Sequence, residues 1–398
     1  MYTFIGILLI SAATLLLELA VLRIFAVQQF YHFAFMAISL ALLGAGASGS
    51  ILSVTRRRAS PAVLSLAFAL STVLAYQVIN TSPFDSFSIA WDSRQILFLA
   101  IYFLAAAVPF LFAGLLVGGE LISAGEEGGA GSHQVYGANL IGSACGSLGS
   151  LLALAWFGGP GTVVLAATLS AAAGLFFVPR NKGLSRSRRD LGIVVVLSAS
   201  VVLGLLALLR TPEFLNQRLS PYKTLSTLSQ ALESQHTLSV SDATARIDVV
   251  ESSVIHVMPG MSLFSAADLP EQAGLMLDGD SLMPISRLAA DSEQAQALAG
   301  YQPLALAFEL RPDGRSLILE AGTGVDVLLA LASGAQQVTA VEENEQIIKI
   351  MQEEYGSWSG DLYQDPRVTV INQSGRVFAQ QEGGQAYDLV ILSLTDPH

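Results

Sequence analysis

The chain has 398 residues, 52% of them hydrophobic and 13% charged, where soluble domains carry about 25% charged residues. With a positive mean hydropathy, that excludes a wholly soluble protein. The charge splits near Arg210, with ten Lys/Arg against seven Asp/Glu before it and ten against twenty-five from it onward; an acidic second half without a basic patch excludes nucleic acid as a partner.

Seven apolar runs precede the break: Phe4 to Leu22, Phe33 to Val54, Pro61 to Val78, Ile96 to Val117, Val135 to Trp156, Thr162 to Val178 and Leu191 to Leu209. Crossing about 30 Å of hydrocarbon takes roughly 20 residues, so these runs predict a multispanning helical bundle over residues 1–210. The first run lacks a basic leader and a small-residue cleavage site, which makes it an uncleaved anchor rather than a signal peptide. Gly158-Gly159-Pro160-Gly161 predicts a tight turn that joins the fifth and sixth runs as a helical hairpin. Glu18 and Arg23 flank the end of the first run, where they are expected to pair or to snorkel to the nearby interface. Ala138, Gly142 and Gly146 form a small-residue face that favours packing within the bundle over a homodimer contact. Cys145, the one cysteine, forms no internal disulfide. Without a repeated second half the spans argue against a secondary transporter.

Basic loops tend to stay cytoplasmic. Arg56, Arg57 and Arg58 form one basic cluster, and Arg180, Lys182, Arg186, Arg188 and Arg189 another, separated by four runs that return the chain to the same side. The last run then carries the acidic part to the opposite face, so the charge pattern favours an extracytoplasmic position for it.

Residues 211–300 predict a small antiparallel β subdomain. Ala245 to Glu251, Val254 to Val257 and Leu275 to Asp280 alternate in the manner of strands. Ser252-Ser253, Pro259-Gly260 and Asp278-Gly279 supply turns. His256 reads as an exposed side chain of a strand. A helical stretch through Gln302 and Phe308 follows. Residues 301–398 then read as a partial, Rossmann-like α/β unit, with strands at Ser316 to Ala321, Gln337 to Glu342, Val368 to Asn372 and Asp388 to Leu394, and a helix at Val325 to Ala332. The glycines of Gly322-Thr323-Gly324 let a backbone approach a ligand at a helix N-terminus, and Glu342, ending the second strand, can accept both hydrogen bonds of a ribose diol. Ser374-Gly375-Arg376 and Thr395-Asp396-Pro397 occupy the carboxyl ends of the later strands, where ligand contacts belong. Four strands leave one flank of such a sheet unformed, so the sequence is expected to be truncated.

From Leu317 to Pro397 the order of motifs resembles the spermidine synthases, polyamine aminopropyltransferases with an S-adenosylmethionine-dependent methyltransferase fold. Leu277-Asp278-Gly279, Tyr301-Gln302-Pro303-Leu304, Val338 to Ile347, Asp365-Pro366-Arg367-Val368 and Tyr387-Asp388-Leu389-Val390 extend the likeness. The membrane half is similar to the multispanning regions of some bacterial members. The resemblance implies an integral inner-membrane protein that takes decarboxylated S-adenosylmethionine or S-adenosylmethionine and a small amine, uses no metal, and pairs as a homodimer. It carries cofactor binding to Gly322, Thr323, Gly324, Glu342, Ser374 and Gly375, and catalysis to Asp396. The sequence departs from the family at Thr323, where an Asp holds the donor's amino group, at Ser393, where an Asp deprotonates the attacking amine, at Ser374, an Asp that contacts adenine, and at Leu282, a Gln. A hydroxyl at Ser393 cannot act as a base unaided. Two functions therefore compete: a membrane-anchored aminopropyltransferase, and a non-catalytic binding or assembly protein that retains the fold.

Overall fold

A computed structural model describes residues 2–55, 58–126, 131–178, 188–210, 212–262, 264–265, 267–311, 314–381 and 387–393. The chain divides into two compact units, one of residues 1–220 and 241–244, the other of residues 221–240 and 245–398.

The first unit is helical: α1 Tyr2–Gln28, α2 Tyr31–Val54, α3 Pro61–Thr81, α4 Arg94–Glu126, α5 Ser132–Phe177 and α6 Arg188–Leu209. Among the described residues these six are long and apolar enough to cross a membrane. They contain the seven predicted runs, the fifth and sixth being two arms of α5. A straight helix of 46 residues would span about 69 Å, twice the hydrocarbon thickness. It breaks at Gly158, whose φ of 63° and ψ of −175° are not helical and suit a residue without a Cβ. Pro160, which lacks an N–H, then falls in the first turn of the second arm, where that donor has no helical partner.

The contacts of α1 show that the chain reverses there. In the first arm, a Cβ at Gly142 would lie 2.3 Å from the Leu8 carbonyl oxygen and one at Gly146 2.3 Å from that of Ala12, so this arm runs parallel to α1. In the second arm Gly159 meets Ile24 and Phe177 covers Gly6, so it runs antiparallel. The predicted hairpin is present, and the small-residue face of Ala138, Gly142 and Gly146 is buried within the chain against α1.

Contacts inside this unit define its two ends. At one, Arg58 pairs with Glu126 at 2.7 Å and Phe177 meets Gly6. At the other, residues 213–220 are strapped to α1 and α3. Tyr76 Oη donates to the Leu215 carbonyl at 2.6 Å, Asn80 Nδ2 to that of Asn216 at 2.9 Å, and the Ser220 N–H to that of Gln28 at 2.8 Å. Gln28 Nε2 donates to Asn80 Oδ1 at 2.8 Å, so the strap rests on a buried polar pair. One expectation is corrected: α1 continues past Leu22 to Gln28, which leaves half-buried Glu18 ten residues, about 15 Å, from the helix end rather than beside it.

The second unit begins with α7 Thr224–Leu228 and an antiparallel sheet of order β1-β2-β3-β4: β1 Gln235–Ser241, β2 Arg246–Glu251, β3 Gln272–Leu277 and β4 Asp280–Ser286. Asp278 and Gly279, with φ of 52° and 73°, close the β3–β4 hairpin, the positive-φ pair that a two-residue Asp-Gly loop accommodates. Val254 to Val257 is not a strand. The buried side chain of Gln272 stands in for a neighbouring strand, accepting from the Val257 N–H and donating to its carbonyl, both at 2.8 Å; His256 is exposed in this loop.

Two short helices, α8 Glu293–Ala299 and α9 Pro303–Leu310, lead into a parallel sheet of order β7-β6-β5-β8. Its strands are β5 Arg315–Leu319, β6 Gln337–Glu342, β7 Val368–Asn372 and β8 Leu389–Leu392, with α10 Val325–Ala332, α11 Glu345–Lys349 and α12 Gly375–Gln381 in the connections. One apolar core runs beneath both sheets, from Ile247, Leu275 and Ile285 to Ile318, Val327 and Ala340, all fully buried.

Candidate functional site

The loops after β5, β6 and β7 bring the predicted binding residues together. After β5 the backbone turns through three positive φ angles, at Glu320 (56°), Gly322 (57°) and Gly324 (81°). A non-glycine residue in this region is uncommon, and Glu320 is held there by its own carboxylate, which accepts the Gly375 N–H at 3.3 Å across the gap to the β7 loop. Gly324 is the N-cap of α10. A Cβ on it would lie 2.8 Å from Leu362 and 2.9 Å from Tyr363, so close packing alone requires glycine. Tyr363, fully enclosed, donates to the Gly322 carbonyl at 2.7 Å.

Glu342, at the end of β6, is 5% exposed. Its Oε2 accepts the Gly322 N–H and its Oε1 the Asn344 N–H, each at 2.8 Å. Burial raises its pKa, the two backbone donors hold it down in part, and nearby Glu320 and Glu343 push it up again. Glu343, just beyond the end of β6, is exposed. Ser374 precedes α12, its carbonyl accepting the Phe378 N–H at 2.9 Å, and Gly375 is buried. Gly322, Gly324, Glu342, Ser374 and Gly375 thus meet at the carboxyl ends of three adjacent strands. Thr323 faces elsewhere: its hydroxyl donates to the Pro284 carbonyl at 2.8 Å and ties the turn to β4. Asp396, with Thr395 and Pro397, lies outside the described residues.

A cavity of about 450 Å³ opens on the other flank of the same turn. Its walls come from the β3–β4 hairpin (Leu282, Met283, Pro284), the start of α9 (Gln302, Leu304) and the end of β8 (Ile391). Gly322 and Thr323 line it, whereas Glu342, Gly324, Ser374 and Gly375 do not. Its charge is carried by Asp326, half-buried in the first turn of α10, where a helix favours an anion. Burial raises the Asp326 pKa, and the neighbouring Ser393 hydroxyl offsets part of that, although Ser393 Oγ makes no hydrogen bond of normal length. Gln302, 6% exposed, keeps a buried Nε2 with no hydrogen bond.

Sequence reasoning did not single out Asp326 or Tyr363, and it treated Gln302 as part of a motif. The one local signal for Asp326 is an acidic side chain in the first turn of a helix that follows a glycine turn; the packing of Tyr363 under that turn has none. Among the described residues no group of His, Cys, Asp and Glu is arranged to hold a metal ion. Compared with known proteins, the chain matches no family model and no curated protein.

Proposed function

We propose that the second unit is a Rossmann-like, spermidine synthase-type unit that binds an S-adenosyl compound at the carboxyl ends of β5, β6 and β7, and that the apolar helices anchor it to a membrane. The observation that carries this reading is the junction of Glu342 with the Gly322 turn, an acid ending the second strand linked to the glycine turn after the first. Each Glu342 oxygen keeps a lone pair beyond the backbone hydrogen bond it accepts, so the carboxylate retains the acceptor capacity that a ribose diol needs. The fit is good at the nucleoside end only. Thr323 supplies no charge for the donor's ammonium group, and Ser393 supplies no base. Aminopropyl transfer to an amine from decarboxylated S-adenosylmethionine therefore requires an acid in place of these two hydroxyls; among the described residues that line the cavity Asp326 is the ionisable one.

The test is equilibrium binding of S-adenosylmethionine and its decarboxylated form to the full chain in lipid nanodiscs. Binding is expected in the wild type and lost in Glu342→Ala, with Glu342→Gln, which keeps one acceptor oxygen, retaining part of it. Unchanged affinity in Glu342→Ala overturns the reading.

A second reading, a fold-retaining binding or assembly protein without turnover, draws support from a specific feature: both Glu342 oxygens and the Gly322 carbonyl have partners inside the unit. It predicts no product from any amine acceptor, and steady product formation disposes of it.

A further inference from the structure

Among the described residues of the first unit, every exposed aromatic side chain lies in a connection between helices or within about a turn and a half of a helix end or of the Gly158 break. They fall at two levels. Phe4 and Tyr136, near the starts of α1 and α5, mark the end that carries Arg58 and Glu126. Phe35, Trp91, Trp156 and Phe214 mark the end that carries the strap, with Trp91 74% and Trp156 73% exposed. Contacts with α1 and α3 confirm the second level: Gly159, just after Trp156, and Gln217 of the strap both reach α1 at Ile24, and the Phe214 carbonyl accepts from Gln77 in the last turns of α3. Between the two levels the large exposed side chains are aliphatic, as Leu140, Ile141, Leu148, Leu151 and Leu152 show along the first arm of α5.

The spacing of the levels names what covers them. Tyr136 and Trp156 stand twenty residues apart on one arm of α5, about 30 Å at 1.5 Å per residue, which is the thickness of a hydrocarbon core. Neither water nor a second copy of the chain sorts rings to helix ends and aliphatic chains to helix middles. A bilayer does, because the headgroup layer accommodates both the apolar body and the polar N–H or O–H of Trp and Tyr. We propose that these aromatics form two girdles seated in the headgroup layers of a phospholipid bilayer, so that the strap and the Gly158 turn lie in one headgroup layer and the aliphatic faces between them meet acyl chains. The proposal rests on the membrane half of the function argued above and not on its nucleoside site. It also locates Glu18. With Gly142 against Leu8 and Gly146 against Ala12, Trp156 is level with Leu22, which leaves Glu18 about 6 Å inside the girdle, within the hydrocarbon.

The chain has three tryptophans, Trp91, Trp156 and Trp358, the last in the second unit. The experiment is fluorescence of the full chain in phosphatidylcholine vesicles whose acyl chains carry bromine either beside the headgroups or near the chain ends. In the wild type the shallow bromine is expected to quench about twofold more than the deep one. Trp156 alone, after Trp91→Phe and Trp358→Phe, is expected to keep that order. Leu148→Trp, with Trp156→Phe added, moves the reporter about 12 Å along the arm toward the bilayer centre and is expected to reverse it. Equal quenching, or stronger quenching by the deep bromine, in the wild type overturns the girdles. Leu148→Trp quenched by neither lipid overturns the bilayer as the cover of that face and points to another copy of the chain. No quenching of the wild type by either lipid overturns the membrane reading itself, which separates the two failures.

Discussion

A carboxylate kept half-buried beside apolar walls costs the fold something, and Asp326 shows where. Its pKa is raised above the ordinary value of 3.8 by burial, so the folded state disfavours the ionised form. The penalty is fully present above the folded value, shrinks as pH falls through it, and is gone below 3.8, where the carboxyl is protonated in both states. Asp326→Asn should therefore raise the thermal midpoint at neutral pH, and the gain should vanish on acidification. A lower midpoint for the variant at pH 7 contradicts this account. Gln272 gives a second prediction at this scale. Gln272→Leu strands the Val257 N–H and carbonyl, and denaturation should show a loss of about 1 to 3 kcal/mol. The same contact explains a failed expectation: alternation from Val254 to Val257 has the pattern of a strand, but the Val257 backbone bonds to a side chain fifteen residues away, which no local pattern displays, and the Ile255 N–H turns back to the Ser252 carbonyl.

Among the elements, glycines of one helix have unequal roles, and the difference is measurable. Gly146→Ala puts a methyl group 2.3 Å from the Ala12 carbonyl oxygen, so α1 and α5 must separate, at about 1 to 3 kcal/mol. Gly149→Ala meets nothing within 4 Å and should be neutral or mildly stabilising, by up to about 1 kcal/mol, since alanine is the better helix former. Thermal unfolding of the two variants in one detergent compares them directly; equal losses would falsify the close-packing assignment. Spacing displayed this face in the sequence but could not say what covers it. The parallel half was more legible: α10, β6 and β7 begin and end where the sequence pattern places them, because short apolar strands there are set off from the helix by glycine and polar turn residues. Helix ends in the apolar half were less so. α1 and α4 run on to Gln28 and Glu126, beyond the hydrophobic stretch that a run of apolar residues reveals, and Glu18 was misplaced for that reason.

For the whole chain, the reversal at Gly158 decides the parity of the bundle. With α5 folded back, Arg58 and Glu126 lie at one end and the strap of residues 213–220 at the other. Reporters placed within residues 127–130 and just after Arg218 should therefore lie on opposite sides of the membrane, with the first on the cytoplasmic face if the arginine clusters set the orientation. Two reporters on the same side would refute the fold-back. The charge break at Arg210 marks where hydrophobicity ends, while the compact unit ends at Ser220; hydrogen bonds from Tyr76, Gln77 and Asn80 to backbone carbonyls hold the intervening polar residues. Composition registers what a segment is made of and not what grips it. The candidate site was legible as a turn and an acid in register, whereas its second flank, formed by residues from the hairpin, α9 and β8, assembles only in three dimensions.

The reversal also bears on how the protein is made. The first arm of α5 is thinned by Gly, Ser and Asn, and its small-residue face offers a bilayer little apolar surface until α1 covers it. Its turn, at Gly158, leaves almost no loop between the two arms. Such a pair is poorly suited to entering the membrane one helix at a time, and its two arms are expected to integrate together, after α1 is already in place to receive them. In a chain truncated after Trp156, Cys145 of the first arm should then stay open to a membrane-impermeant thiol reagent, and become protected only when the second arm is also present.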